Sequence, residues 1–229
     1  MSVPLLAARE MSAGYGATEV LRGVSLRVGE GEVVALLGAN GAGKTTTLLA
    51  LSGEIALSAG EVSWLGQPSR SKLHRKARAG LAFVTEERSV FMGLTCAQNL
   101  RLGKGGIRGA LEVMPELEPL LPRRAGLLSG GEQQFLTLAR ALASSPRVLL
   151  ADELSLGLGP LVVSRLLSRV REAADRGTGV LLVEQHVRQA LAVADRAYVM
   201  QRGRVVLEGS GADIRLRLDE IETTYLSGI

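Results

Sequence analysis

Apolar and polar residues alternate through Val24-Ser25-Leu26-Arg27-Val28, the pattern of a strand buried on one face only. Gly29 to Gly31 then make a turn. Glu32-Val33-Val34-Ala35-Leu36-Leu37 is almost continuously apolar and predicts a strand covered on both faces, as in a parallel sheet. It enters a glycine-rich loop, and Thr45 to Leu51 reads as the helix that follows. Val148-Leu149-Leu150-Ala151 and Val180-Leu181-Leu182-Val183 repeat the buried-strand pattern, and Leu161 to Ala174 between them has helical spacing. Strands alternating with helices predict an α/β sandwich with a mainly parallel sheet. Tyr198-Val199-Met200 and Val205-Val206-Leu207, on either side of Arg202-Gly203, predict a hairpin. From about Leu94 to Leu127 the pattern changes to Leu, Pro and charge with no buried strand. This stretch is expected to be a small helical lobe, with Gly103 to Gly109 as a loop inside it. One domain over 1–229 is therefore expected, its core formed by 1–93 and 128–229 and its inserted lobe by 94–127.

Composition narrows the picture. Of the 229 residues 46% are hydrophobic but only 3% aromatic, so the core must be aliphatic. The formal charge of +4 agrees with an anionic ligand without demanding one, and it is too diffuse for a nucleic-acid binder. The densest basic cluster, Arg70, Lys72, Arg75, Lys76 and Arg78, reads as solvated surface, with anionic lipid or nucleic acid as the other option. The single cysteine, Cys96, cannot form an internal disulfide and suits a reducing compartment. No run approaches the roughly 20 apolar residues of a membrane span, and Met1 to Glu10 lacks the pattern of a secretory signal. A cytoplasmic chain, soluble or peripheral, is expected.

Gly38-Ala39-Asn40-Gly41-Ala42-Gly43-Lys44-Thr45 matches G-x-x-x-x-G-K-[ST], with Thr46 directly after it. Glycines let backbone N–H groups converge on one anion, and the helix start adds its positive dipole end. Lys44 can then reach terminal phosphates, and the Thr45 hydroxyl can ligate Mg²⁺. The apolar strand Val148 to Ala151 ends in Asp152-Glu153, at the edge where an open α/β sheet places its ligand. Asp152 can hold Mg²⁺, and Glu153 can polarise an attacking water or simply cap the next helix. Ser129-Gly130-Gly131, opening the helical stretch Glu132 to Leu142, is either an ordinary N-cap or a second anion site.

Taken together, these residues resemble the ABC ATPases over nearly the full chain, and Leu128-Ser129-Gly130-Gly131-Glu132-Gln133-Gln134 matches their signature motif. The resemblance implies a P-loop NTPase core with an N-terminal antiparallel β part. It also implies ATP and Mg²⁺ as ligands, and a dimer in which Ser129, Gly130 and Gly131 close over the partner's ATP. Tyr15 stands where the family stacks an aromatic on adenine, though a lone tyrosine also serves packing. Glu86 stands where most members carry a glutamine that senses Mg²⁺ and the membrane subunit. Glu86, the run Ser155-Leu156-Gly157-Leu158 and the tail Tyr225-Leu226 resemble the LivF-type branch, the ATPases of branched-chain amino acid importers. That branch implies a second ABC ATPase as homo- or heterodimer partner, transmembrane permease subunits, an extracytoplasmic solute-binding protein, and a place on the inner face of the membrane.

Departures stand beside the likeness. Leu154 replaces a usual proline and Gly159 a usual aspartate. The family's switch histidine, counted back from Asp195-Arg196, falls on Gln185, with His186 next in line; both are candidates for contact with the γ-phosphate. The lobe is short for the branch, which bears on permease docking. Other expectations compatible with these residues are an ATPase for urea or short amides, a regulatory subunit with weak hydrolysis, and a soluble ABC ATPase outside transport.

Overall fold

A computed structural model describes residues 3–184 and 186–221. Gln185 and the Tyr225-Leu226 tail lie outside the described residues. The chain opens with a long hairpin, β1 (Leu6–Tyr15) and β2 (Thr18–Val28), and then enters β3 (Val33–Gly38) and α1 (Lys44–Ser52). Next come β4 (Leu57–Trp64), the short β5 (Gln67–Pro68), α2 (Leu73–Arg78) and β6 (Leu81–Val84). Helical segments follow: α3 (Cys96–Arg101), α4 (Gly106–Val113), 3-10 turns at Pro115–Leu120 and Ala125–Leu127, and α5 (Gly130–Leu142). The remainder alternates β7 (Val148–Asp152), α6 (Pro160–Asp175), β8 (Gly179–Val183) and α7 (Val187–Val193). It ends in the hairpin β9 (Arg196–Gln201) and β10 (Arg204–Ser210), with α8 (Gly211–Leu216) and α9 (Leu218–Ile221).

Two sheets form. The antiparallel one has the order β2-β1-β4-β5, and the larger one β10-β9-β3-β8-β7-β6, parallel except for the β9/β10 hairpin. The continuous apolar strands β3, β7 and β8 are buried along their whole length, and side-chain alternation divides them between two cores. Val33, Ala35, Leu37, Leu149, Ala151, Val180 and Leu182 face α5, α6 and α7. Val34, Leu36, Val148, Leu150, Leu181 and Val183 face α1 and the antiparallel sheet. Each strand is thus roofed by helices on one side and by α1 with the second sheet on the other, which explains why polar residues are missing from both of its faces. The mixed α/β fold with a mainly parallel sheet is the one expected from the pattern, and its antiparallel β part is the one the resemblance implies.

Two expectations are corrected. Residues 103–109 are not one loop, because α4 begins at Gly106 and runs to Val113; the glycines there allow close packing, since a Cβ at Gly105 would lie 2.0 Å from the Ala143 carbonyl oxygen. Lys76 is not solvated surface. It is buried, and its ammonium donates to the Leu51 carbonyl at 2.6 Å, near the C-terminal end of α1. A cation there meets the negative end of the helix dipole, so Lys76 anchors the helix that carries the phosphate loop. Burial pushes its pKa down to about 8.

The landmark pair Asp195-Arg196 proves to be structural. Asp195 accepts from the first strand amide of β3, Val33, at 2.8 Å, and pairs with Arg171 at 2.7 Å. Arg196 bridges Glu32, the Arg27 carbonyl and the buried Tyr198 hydroxyl. Between β6 and α5, Asn99 is fully buried and organises its own turn. Its oxygen accepts from the Phe91 amide at 3.0 Å, and its amide group donates to the Phe91 and Thr95 carbonyls, both at 3.0 Å. Asn99→Ala strands these buried backbone groups, at a cost of about 1–3 kcal/mol. Thermal unfolding of that variant is expected at least about 2 °C lower, with nucleotide affinity at the phosphate loop retained.

Candidate functional site

The phosphate loop is built as its sequence demands. Gly41 and Gly43 have φ of +78° and +104°, left-handed values that favour glycine. Gly38 lies so close to the sheet that a Cβ there would meet the Met200 carbonyl oxygen at 2.6 Å. Gly43 immediately precedes α1 with no side-chain cap, so the first amides of that helix keep their capacity for an external anion. Asn40, Gly41 and Thr45 are exposed, whereas Ala42, Lys44 and Thr46 are buried.

Lys44 folds back over its own loop and donates to the Gly38 carbonyl at 2.9 Å and the Ala39 carbonyl at 3.2 Å. Burial drives its pKa down, opposed by the negative charges of Glu153 and Asp152. These two carboxylates stand at the end of β7, at the same edge as the loop. Asp152 is 1% exposed. Burial raises its pKa to about 6; a hydrogen bond from the Thr45 hydroxyl works the other way, Glu153 and Glu86 push it higher, and Lys44 lowers it. Its Oδ1 is buried with no hydrogen-bond partner.

That orphaned oxygen beside a threonine hydroxyl fits a hard divalent cation. Among the described residues no group of three or more His, Cys, Asp or Glu is placed to hold a metal ion by itself. An ion here would complete its shell with phosphate oxygens and water, as Mg²⁺ does with one or two carboxylates. Glu86 is exposed, yet close enough for its charge to act on Asp152.

Glu153 has φ of +48°, an unusual conformation for a non-glycine residue that costs of order 1–3 kcal/mol and persists only where neighbours hold it. Its amide donates to the Val183 carbonyl at 2.9 Å, which ties the end of β7 to β8. The next helix, α6, takes Gly159 as its N-cap, so Glu153 is not the residue that caps it. Tyr15 is 50% exposed at the end of β1, which leaves its ring available and not committed to packing. His186 precedes α7 at the same edge of the sheet; its side chain is exposed and its carbonyl accepts from Gln189 and Ala190.

Ser129, Gly130 and Gly131 sit at the N-terminus of the 13-residue α5. Ser129 is an N-cap in a capping box: its hydroxyl accepts from the Glu132 amide at 3.3 Å, and Glu132 accepts from the Ser129 amide at 2.7 Å. The two readings of this motif are therefore compatible, because the cap leaves the Gly130 and Gly131 amides at a positive helix end. Sequence reading passed over Arg88. Its guanidinium lies against Gly130, where a Cβ would come within 2.9 Å of Nη1. Thr137 and Arg140 of α5 hold the Arg88 and Ser89 carbonyls, which fastens the segment after Glu86 to the signature helix.

A sequence model of the family described as "ABC transporter" matches residues 21–155. The chain belongs to this family. It is an ATP-hydrolysing cassette of the kind found as ATP-binding subunits of ABC transporters. The cassette is 39% identical to the high-affinity branched-chain amino acid transport ATP-binding protein BraG of Pseudomonas aeruginosa, over 98% of this chain and 100% of that protein. It is 35% identical to the lipopolysaccharide export system ATP-binding protein LptB of Escherichia coli K12, over 96% of each. A solved ATP-binding subunit of an ABC transporter superposes with TM-score 0.83 at 30% identity, over 96% of this chain and 98% of that one. An ATP-binding cassette in its ADP conformation shares the fold at TM-score 0.86 and 23% identity, over 96% of each.

The raised Asp152 pKa has a definite sign. Between the unfolded value near 4 and about 6, the native cassette without nucleotide binds more protons than the unfolded chain, so its stability falls as pH rises through that window. Asp152→Asn removes this penalty. The nucleotide-free variant is expected to melt at least about 2 °C above wild type at pH 8 and equally with it at pH 4, while Mg²⁺-dependent nucleotide binding is lost. Equal melting at pH 8 would contradict the buried, unpaired placement of Asp152.

Proposed function

We propose that this cassette powers an importer of branched-chain or related amino acids, working as half of an ATPase dimer on the inner face of the membrane. The observation that carries the reading is the likeness to BraG, which spans both chains end to end. Glu86 and the Ser155-Leu156-Gly157-Leu158 run support the same branch. The partners would be a second ABC ATPase, identical or different, the permease subunits, and an extracytoplasmic solute-binding protein. Among the described residues no helix is long and apolar enough to cross a membrane, in keeping with a chain that depends on separate permeases. Phe91, Met92 and Leu127 are large, apolar and exposed beside the helical segments, and offer a docking face for them.

In this reading Tyr15 stacks on the adenine. The amides of Asn40 to Thr46 and the Lys44 ammonium hold the β- and γ-phosphates, while Gly38 lets the loop lie against the sheet. Thr45 and Asp152 would hold Mg²⁺, with Glu86 close by; when bound, the ion neutralises charge building on the phosphates. Glu153 orients the attacking water and takes its proton. Gln185 or His186 approaches the γ-phosphate, and the partner's nucleotide is closed over by Ser129, Gly130 and Gly131. Closure strengthens every charge contact by excluding water, and loss of the γ-phosphate after hydrolysis releases the dimer. The similarity to LptB favours a second reading, an ATPase for lipopolysaccharide export.

Lys44→Ala and Glu153→Gln are expected to lower steady-state ATPase activity about 10²–10⁴-fold. Glu153→Gln should still bind ATP and elute from size exclusion as an ATP-stabilised dimer. Normal turnover in Glu153→Gln would remove Glu153 from the role of base. Cells deprived of the chain should lose high-affinity leucine uptake; normal uptake together with a lipopolysaccharide defect would select the export reading.

A further inference from the structure

Between β3, which feeds the phosphate loop, and β7, which ends in Asp152-Glu153, lies one strand, β8. The residue directly after it is Glu184, which no motif singled out. It is 1% exposed, a burial that a carboxylate tolerates only when hydrogen-bonded. Among the described residues its hydrogen-bond donors come from the loop that follows Glu153. The Ser155 amide donates to Oε1 at 3.1 Å and the Ser155 hydroxyl donates to Oε2. Ser155 and Leu154 are themselves buried. Just before them the Glu153 amide is held by the Val183 carbonyl. Beyond them the loop opens: Leu156 is 44% exposed, and a Cβ on Gly157 would meet nothing within 4 Å.

The left-handed Glu153 is thus pinned on both sides, by the end of β8 on one and by the Glu184 carboxylate on the other. We propose that Glu184 is a positioning residue for Glu153: by gathering the Ser155 amide and hydroxyl it fixes the loop root, holds the Glu153 carboxylate toward Lys44 and Asp152, and joins that loop to the end of β8. This rests on Glu153 acting as the base. The energetics agree with a group under tension: burial raises the Glu184 pKa to about 7, the Ser155 donors pull it down, and the Glu153 charge pushes it up. A leucine or valine after β8 would pack as well but could not bind the Ser155 donors. Displacing a reacting group by about 1 Å can cost as much as 10²-fold in rate, so the clamp acts on turnover and leaves nucleotide binding, carried by the phosphate loop, unchanged.

The test measures steady-state ATPase kinetics, nucleotide affinity and thermal unfolding of the purified full chain. Wild type is compared with Glu184→Ala, Glu184→Gln, Ser155→Ala, the Ser155→Ala/Glu184→Ala double variant and Glu153→Gln. Glu184→Ala is expected to lose about tenfold or more in kcat with KM for ATP within about twofold of wild type. Ser155→Ala should fall in the same direction, and the double variant should be no worse than Glu184→Ala, as for two residues acting as one unit. Glu184→Gln keeps an oxygen for the Ser155 amide and can donate to its hydroxyl, so it should recover most of kcat. Three results overturn the proposal: wild-type kcat in Glu184→Ala, loss of ATP affinity in step with kcat in every folded variant, or a Glu184→Gln as impaired as Glu184→Ala. Full turnover in Glu153→Gln would instead overturn the assignment of the base, a separate and recognisable failure. Should Glu184→Ala not fold, Ser155→Ala and Glu184→Gln decide the matter by the same kcat and KM comparison.

Discussion

An ammonium group removed from water sets the terms for this molecule. Lys44 is buried and tied to two carbonyls of its own loop, and the charges of Glu153 and Asp152, at the end of another strand, oppose the downward pull of burial on its pKa. Neighbouring strands lie about 4.8 Å apart, and β3 and β7 are separated by β8 alone, so Lys44 and Asp152-Glu153 face each other across roughly two strand spacings. That arrangement requires the parallel strands to end in register at one edge. Register in turn requires both faces of β3, β7 and β8 to be dry, which the divided aliphatic core provides. The cluster is unbalanced without ligand: a cation short of solvent, a carboxylate oxygen short of a partner, a glutamate in a strained backbone. A phosphate chain and a divalent ion would supply the missing charge and contacts together.

The signature stretch is organised differently. The signature glycines open α5, and their position depends on helix capping and on packing, not on burial of charge. Arg88 against Gly130, with Thr137 and Arg140 grasping the Arg88 and Ser89 carbonyls, makes the segment after Glu86 and the signature helix one piece. A movement of either therefore displaces both. In a dimer with composite sites, this would carry the state of one subunit's metal site to the surface that covers the other subunit's ATP. Asn99 extends the same piece toward Phe91 and the exposed apolar face beside it.

Structural residues prove to be as concentrated as chemical ones. Asp195 and Arg196 serve in the sequence only to locate the switch position, and their side chains join β2, β3, β9 and α6 into one frame. Lys76, apparently one of a run of surface cations, holds the end of α1. In both cases a charged side chain holds a backbone group distant in the chain: Asp195 the Val33 amide, Arg196 the Arg27 carbonyl and Lys76 the Leu51 carbonyl.

The sequence by itself determined the strands and helices, because periods of 2 and 3.6 residues report which faces are buried, and it determined the phosphate loop, because the left-handed backbone at Gly41 and Gly43 favours glycine. It also placed Asp152-Glu153 at a strand end. It did not disclose Lys76, Arg88, Asn99 or Glu184, and it mistook the start of α4 for loop. Those roles depend on partners far away in the chain: Leu51 for Lys76, Gly130 for Arg88, Ser155 for Glu184. A local pattern shows which residues prefer to be buried. Only the tertiary structure decides which buried polar atoms meet, because hydrogen bonds need atoms within about 3 Å, and sequence spacing does not fix distances across a sheet.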